Sequence, residues 1–307
     1  MKRNFTVGTR GSALALWQTR HVSSLLAPSG ASITERIITT QGDTNQTEKL
    51  VGKLEKGFFT QELEAALHEK EIDWAVHSLK DLPTRMPEGL VLGAVLERAP
   101  AGDLLLVRPE SIDEANGPLQ LKTAARIGSC SLRREAMLKH FAPKAVAAPL
   151  RGNVPTRVTK LRDAVYDGIL LAEAGVMRLQ LSLEGLVAFR LNPARWQCAP
   201  GQGAVAVQCR ADDTEVLTLL WAMHHPATAR AVNLERDFLR ILEGGCTTPF
   251  GCYVDGGRAS LGLATDTGWA RRTVTLPDQL DTAWLAACLN ELTTSREDSN
   301  DWLARRI

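Results

Sequence analysis

Apolar residues along this chain follow two rhythms: short β-prone runs, and longer stretches spaced three and four apart. Thr6 to Thr9 is a short run of the first kind, and it passes through Arg10-Gly11-Ser12 into ALALWQTRHVSSLL (13–26), whose spacing predicts a helix. ERIITT (35–40) reads as a second strand, and GDTNQTEKLVGKLEKG (42–57) as a polar, glycine-punctuated mobile loop, either disordered or able to act as a lid. FTQELEAALHEKEI (59–72) reads as a helix with acidic residues early, and DWAVHSLKDLP (73–83) as a strand running into a loop ended by Pro83. The theme then recurs. ARIGSC (125–130) ends a strand, Ser129 or Ser131 can cap, and LRREAMLKHF (132–141) is a helix. AVAAPLRGNVPTRVTKLRDAVYDG (145–168) is strand, glycine loop and helix; DGILLAEAGVMRL (167–179) is a buried strand and then a helix. AVAVQC (204–209) follows a Gly-Gln-Gly loop as an apolar strand. Helices over LLWAMHH and ATARAVNLERDFLRILEGG lead into the loop LEGGCTTPFGC (242–252). Two antiparallel strands, YVDGGRASLGLAT and WARRTVTLP, and a final amphipathic helix, WLAACLNELTTS, complete the pattern. Alternating strands and helices predict α/β layers.

The 307 residues fit two or three domains at the usual ~100–150 residues each. Lys and Arg number 36 against 35 Asp and Glu, a net charge of +1, which argues against a broad basic face for nucleic acid. The N-terminus lacks an apolar run after its basic pair, and no segment reaches the ~18 apolar residues of a membrane span, so the cytosol is expected. Six cysteines (130, 198, 209, 246, 252 and 288) are scattered without zinc-ligand spacing, and most read as small buried hydrophobes. No metal is expected.

Charge changes the picture locally. Four strand-to-helix turns carry arginine, lysine or hydroxyl groups: Arg10 and Ser12; Lys80 and Asp81; Ser129, Ser131, Arg133 and Arg134; Arg151 and Arg157. Ligands of open α/β sheets bind outside the carboxyl ends of strands, where helix N-termini favour anions and arginine grips carboxylates with paired hydrogen bonds. The pattern implies a multiply anionic ligand. An Arg-Arg pair taken alone is more often a solvated helix face. Asp81 either pairs with Lys80 or is the one negative group in a basic cleft, placed to bind N–H donors and stabilise a developing cation. His77 reads as a structural histidine, and Trp17, Trp74 and Trp196 as packing. Cys246 sits on a bare loop, Gly244-Gly245-Cys246-Thr247-Thr248-Pro249, as a structural thiol, a reactive one, or an attachment point.

Taken together and in order, TRGSALALWQ, GDTN, KGFFTQELE, AVHSLKDLPT, GSCSLRREAML, LRGNVPTRVTKL, DGILLAEAGVMRL, GQGAVAVQC and LEGGCTTPFG resemble the porphobilinogen deaminase (hydroxymethylbilane synthase) family, over Thr9 to about Gly251. The resemblance implies three α/β domains. Two are lobes like those of periplasmic binding proteins, with mixed sheets (1–99 with 200–218, and 100–199). The third is a smaller C-terminal domain (219–307). It implies a monomeric cytoplasmic transferase of tetrapyrrole biosynthesis that joins four porphobilinogens head to tail, with loss of ammonia at each step. It implies a dipyrromethane cofactor held by a thioether to Cys246, and Asp81 as the catalytic residue that stabilises the azafulvene cation. Arg10, Ser12, Lys80, Ser129, Ser131, Arg133, Arg134, Arg151, Arg157 and Arg178 would hold the acetate and propionate groups, with Gln18 and Lys56 as weaker candidates. No nucleic acid or membrane partner is implied. The chain departs from the pattern at Ala99–Asp103, which lacks an arginine, at Gln208, where glutamate is common, and at Cys130, which stands for a serine. The competing reading from another class is a two-lobed anion-binding protein without turnover.

Overall fold

The computed structural model describes residues 4–44, 59–242, 249–292 and 303–307. In chain order its elements are β1 (Asn4–Thr9), α1 (Ala13–Leu26), β2 (Ser32–Ile37), α2 (Gln41–Thr44), α3 (Gln61–His68), β3 (Trp74–Ser78), β4 (Leu90–Val95), β5 (Asp103–Val107), β6 (Arg126–Ser129) and α4 (Leu132–Phe141). They continue as β7 (Val146–Pro149), α5 (Val154–Arg162), β8 (Gly168–Ala172), α6 (Glu173–Arg178), β9 (Val187–Leu191), β10 (Val205–Arg210), α7 (Thr214–Trp221), α8 (Pro226–Ile241), β11 (Phe250–Asp255), β12 (Arg258–Thr265), β13 (Gly268–Thr275), α9 (Thr282–Leu292) and β14 (Ala304–Arg306).

These elements divide into two compact units, residues 1–99 with 203–233 and residues 100–202 with 234–307. The first unit holds a five-stranded sheet of order β2-β1-β3-β10-β4, in which β10 alone runs against its neighbours. One face buries Val7, Trp74, Val76, Val205 and Val207 against Val22 and Leu26 of α1 and Val216 and Leu220 of α7. The other face meets Leu63, Ala66 and Leu67 of α3. Each such fully buried aliphatic side chain contributes about 1.5–3 kcal/mol. Gly8 of β1 permits the close approach of α3: a Cβ there would lie 2.3 Å from Ile72 Cδ1 and 3.0 Å from Leu63 Cδ2. The second strand is shifted from the sequence expectation of 35–40 to Ser32–Ile37, because it pairs in parallel register with β1, Asn4 opposite Ser32 through Thr9 opposite Ile37.

The second unit repeats the plan. Its six-stranded sheet reads β7-β6-β8-β5-β9-β14, with β6 parallel to β7 and β8, and β5 antiparallel to both β8 and β9. Leu105, Val107, Leu170 and Phe189 pack with Met137, Leu138 and Phe141 of α4 and with Trp196 and Trp269. Leu104, Leu106, Ile169 and Leu171 pack with Val158 and Leu161 of α5 on the opposite face. The edge strand β14 has no counterpart in the sequence reading, being three residues of mixed character (Ala304–Arg306). A separate antiparallel meander, β11-β12-β13, also belongs to this unit. The fold is therefore α/β, with two mixed sheets built to one plan and a third, antiparallel sheet. No described helix is long and apolar enough to cross a membrane.

Candidate functional site

In each unit most candidate residues lie on the turns that follow the parallel strands, after β1 and β3 in the first and after β6 and β7 in the second, with Arg178 at the end of α6. In the first unit β1 ends at Thr9, and Arg10 and Ser12 lie in the turn before α1. Ser12 is the N-cap, its Oγ accepting from Ala15 N at 3.3 Å, which satisfies one of the free amides of the first turn. β3 ends at Ser78 and tightens into a single 3-10 turn, Leu79–Asp81, closed by Leu82 N donating to Leu79 O at 3.1 Å. Leu79 is buried and anchors this turn, while Asp81 is exposed and Lys80 half-buried. The result is an open concavity lined by Arg10, Ser12, Gln18, Phe59, His77, Ser78 and Asp81 among others. Gln18 is 2% exposed, and its Nε2 donates to Ser78 Oγ at 2.9 Å. Arg10, Ser12, Gln18 and Asp81 are thus brought together; Lys80, next to Asp81 in the turn, is not among the lining residues.

His77 and Phe59 were not read as site residues from the sequence. His77 is 5% exposed, and its Nε2 has no hydrogen-bond partner among the described residues. Burial pushes its pKa down to about 4, with Gln208 opposing the shift and the Arg10 charge adding to it. The imidazole is therefore neutral near pH 7. Nothing in a lone histidine on an apolar strand distinguishes this from a core position.

In the second unit β6 ends at Ser129, whose Oγ accepts from Ser131 N at 3.1 Å. Ser131 caps α4, accepting from Arg134 N at 3.5 Å. Arg133 and Arg134 are neither a solvated face nor on the surface: they are 5% and 6% exposed. Both grip Asp103, Arg133 Nη2 to Oδ2 at 3.0 Å and Arg134 Nη2 to Oδ1 at 2.7 Å. Trp196 Nε1 and Gln202 Nε2 also donate to Asp103, at 2.9 and 2.7 Å. Burial alone would raise the Asp103 carboxyl, but the two guanidinium groups, with hydrogen bonds from Arg134 and Gln202, hold it well below the usual carboxylate range. Asp103 was missed in the sequence, although a single acid heading an otherwise apolar strand, DLLLV, is a signal for a buried charge that needs partners.

Arg151 and Arg157 frame the start of α5, capped by Asn153, whose Oδ1 accepts from Thr156 N at 2.9 Å. Both are half-buried, and Arg157 Nε donates to Gly152 O at 2.7 Å. Arg178 ends α6, half-buried, with burial lowering its pKa to about 10. Cys130 is partly exposed between the two serines. Cys252 is buried, its carbonyl accepting from Cys198 Sγ at 3.4 Å. Cys246 and Lys56 lie outside the described residues. No cluster of metal-ligating side chains occurs among the described residues.

The donor set suits a carboxylate-bearing pyrrole. Arg10 with the Ser12 hydroxyl offers a place for an acidic side chain, and Asp81 offers an acceptor for a ring N–H.

A family model described as "Porphobilinogen deaminase, dipyromethane cofactor binding domain" matches residues 5–218. The chain is 45% identical over 260 residues to the porphobilinogen deaminase of Desulforamulus reducens, covering 82% of this chain and 80% of that one. It is 46% identical over 259 residues to that of Carboxydothermus hydrogenoformans, with the same coverage. Among solved structures, an ancestral cationic amino acid solute binding protein aligns over 77% of this chain and 90% of its own, at 14% identity and a TM-score of 0.43.

Proposed function

The chain belongs to the porphobilinogen deaminase family, and from that premise we propose how its residues divide the work. The reaction is the head-to-tail joining of four porphobilinogen molecules to hydroxymethylbilane, with ammonia released at each condensation, in the synthesis of tetrapyrroles. The enzyme is a transferase that works with a dipyrromethane cofactor. When bound, that group supplies a primer with a free pyrrole α-carbon.

One observation carries the assignment of roles: Asp81 is an exposed carboxylate in the same concavity as Arg10 and Ser12. Arg10 and Ser12 hold an acetate or propionate of the incoming porphobilinogen and so fix the ring. Asp81 accepts hydrogen bonds from the pyrrole N–H. As the C–N bond of the aminomethyl group breaks, the electron pair leaves with ammonia and positive charge spreads over the pyrrole. A carboxylate fixed beside that N–H stabilises the charge as it develops, which is where electrostatic catalysis is strongest. Once the new carbon–carbon bond has formed, the α-carbon proton is lost, and Asp81 assists that transfer. Neutral His77 adds no positive charge beside the developing cation. Lys80, Ser129, Ser131, Arg133, Arg134, Arg151, Arg157 and Arg178, with Gln18 and Lys56 in lesser roles, are proposed to receive the other carboxylates of the growing chain. For Arg133 and Arg134 this means acting while bound to Asp103.

Cys246 is proposed as the thioether anchor, by its position in Gly-Gly-Cys. The reading also takes the enzyme as a cytoplasmic monomer of three domains, divided as 1–99 with 200–218, 100–199 and 219–307. The separate meander β11-β12-β13 supports a third body, although β14 (Ala304–Arg306), within 219–307, pairs into the second sheet. Intact-mass measurement tests the core of it: wild-type protein carries the added mass of two pyrrole units, Cys246→Ala carries none, and Asp81→Asn loses turnover. Unmodified wild-type protein that stays inactive with porphobilinogen would return the chain to the anion-binding alternative.

A further inference from the structure

Arg10 is held from behind. Its guanidinium carbon lies 4.2 Å from the centroid of the Phe59 ring, within cation–π range. Phe59 is partly buried and immediately precedes Thr60, the buried N-cap residue of α3. Against the same ring lies Gly42, in α2. A Cβ on Gly42 would stand 2.0 Å from Phe59 Cε1 and 2.1 Å from Cδ1, so no side chain fits there unless the ring moves. The short helix α2 is itself tied to α3, because Gln41 N donates to Glu62 Oε1 at 2.9 Å. Gly42, Phe59 and Arg10 are therefore coupled in series, and Gly42, which the reaction leaves without a task, begins that series.

We propose that Phe59 and Gly42 are positioning residues: Phe59 holds the Arg10 guanidinium where it meets a substrate carboxylate, and Gly42, by lacking a side chain, leaves the ring free to lie there. The proposal rests on Arg10 as a carboxylate-binding residue. An arginine on a bare surface must surrender rotamer freedom each time it binds; one lying on an aromatic face has surrendered much of it already. Arg10 grips a part of the substrate remote from the bonds that change, so the benefit falls on binding in the ground and transition states alike. It is read in KM and not in kcat.

The experiment is steady-state kinetics with porphobilinogen on cofactor-loaded enzyme, loading being checked by intact mass. Phe59→Leu is expected to raise KM about fivefold, the scale of one partly desolvated cation–π contact, and to leave kcat within about twofold. Gly42→Ala is expected to do the same by displacing the ring, and it carries the test if Phe59→Leu fails to load cofactor. The double variant is expected to be no worse than either single one, since both act through one ring. Phe59→Tyr, which keeps the aromatic face, is expected to recover most of the loss seen with leucine. An unchanged KM in Gly42→Ala or Phe59→Leu, additive effects in the double variant, or a fall in kcat alone each overturns the proposal. Arg10→Leu separates the two levels. If it leaves KM unchanged, the carboxylate role of Arg10 is lost; if it raises KM while the Phe59 and Gly42 variants do not, only the positioning role is lost.

Discussion

Asp81 and Asp103 stand at equivalent edges of two sheets built to the same strand order, yet they have opposite fates. In the first unit β3 ends at Ser78, opposite Val205 of the antiparallel strand β10. In the second, β8 ends at Ala172, opposite Asp103 of the antiparallel strand β5. The acid of the first unit lies just past the parallel strand, on a 3-10 turn, and is exposed. The acid of the second is on the antiparallel strand, is 0% exposed, and is surrounded by donors. A shared scaffold therefore does not dictate chemistry. An acid placed in the turn keeps its acceptor capacity for a ligand; an acid placed in the strand spends it on the protein. Asp103 is a structural charge whose reward is the fixed placement of Arg133 and Arg134.

The contrast can be broken by experiment, and the largest effect is expected at Asp103. Asp103→Asn should cost about 3–5 kcal/mol of stability, because two buried guanidinium groups lose their counter-charge; denaturant unfolding measures it. A loss below about 1 kcal/mol would mean that the pairs can be rearranged cheaply. Asp81→Asn should show the reverse profile, with Tm near the wild-type value and kcat lower by roughly 10²–10³-fold, the scale of removing one transition-state electrostatic contact. Near-normal turnover in that variant would remove Asp81 from the mechanism.

Acid titration separates the two units further. The His77 pKa is lowered from 6.5 to about 4 in the folded protein. A depressed folded value means that the unfolded chain binds the proton more readily. The stabilisation is complete above about pH 6.5 and is lost as pH falls toward 4, by up to about 3 kcal/mol. The Asp103 contribution has the same sign but a lower window. It is complete above the ordinary aspartate value near ~4 and is lost only as pH falls below that. His77→Gln should therefore flatten stability between pH 6.5 and 4 and leave the limb below it. A curve unchanged by His77→Gln would show that the histidine is not the group being titrated. The smallest effects belong to the caps: Ser12→Ala and Ser131→Ala should each cost about 1 kcal/mol, and Ser12→Ala is also expected to raise KM through its place beside Arg10.

Much of this was legible in the sequence because its signals are local. Ser12 and Ser131 each precede an apolar-periodic stretch, so a cap and a turn could be read from a few neighbours. Asp81 stands between a strand and a proline, which places it in a turn. The Arg133–Asp103 and Arg134–Asp103 pairs were not legible in the same way. They join residues 30 and 31 positions apart across a sheet, and an Arg-Arg dipeptide looks the same whether it faces water or a buried acid. His77 was hidden for a related reason. Its importance comes from lining the concavity with Arg10 and Asp81, which no spacing along β3 discloses. The shifted boundary of β2 shows pairing overriding local preference: its partner β1 decides where it begins. Phe59 opens the stretch whose spacing predicts a helix over 59–72, and only its distance to Arg10 sets it apart.

The placement of β10 and of Gln202 bears on how this protein can be made. The first sheet is complete only when β10 has entered between β3 and β4, which precede it by more than a hundred residues. Asp103 receives one of its donors from Gln202, 99 residues later. A nascent chain emerging from the ribosome therefore cannot finish the first sheet before β10, nor the second before β14 (Ala304–Arg306). The first unit must wait with an open slot until β10 is released; Asp103 has Arg133, Arg134 and Trp196 as partners before then and lacks only the Gln202 donor. Residues 202–210 thus close the first sheet and add a last donor to Asp103, while the second sheet closes later still, when β14 pairs with β9.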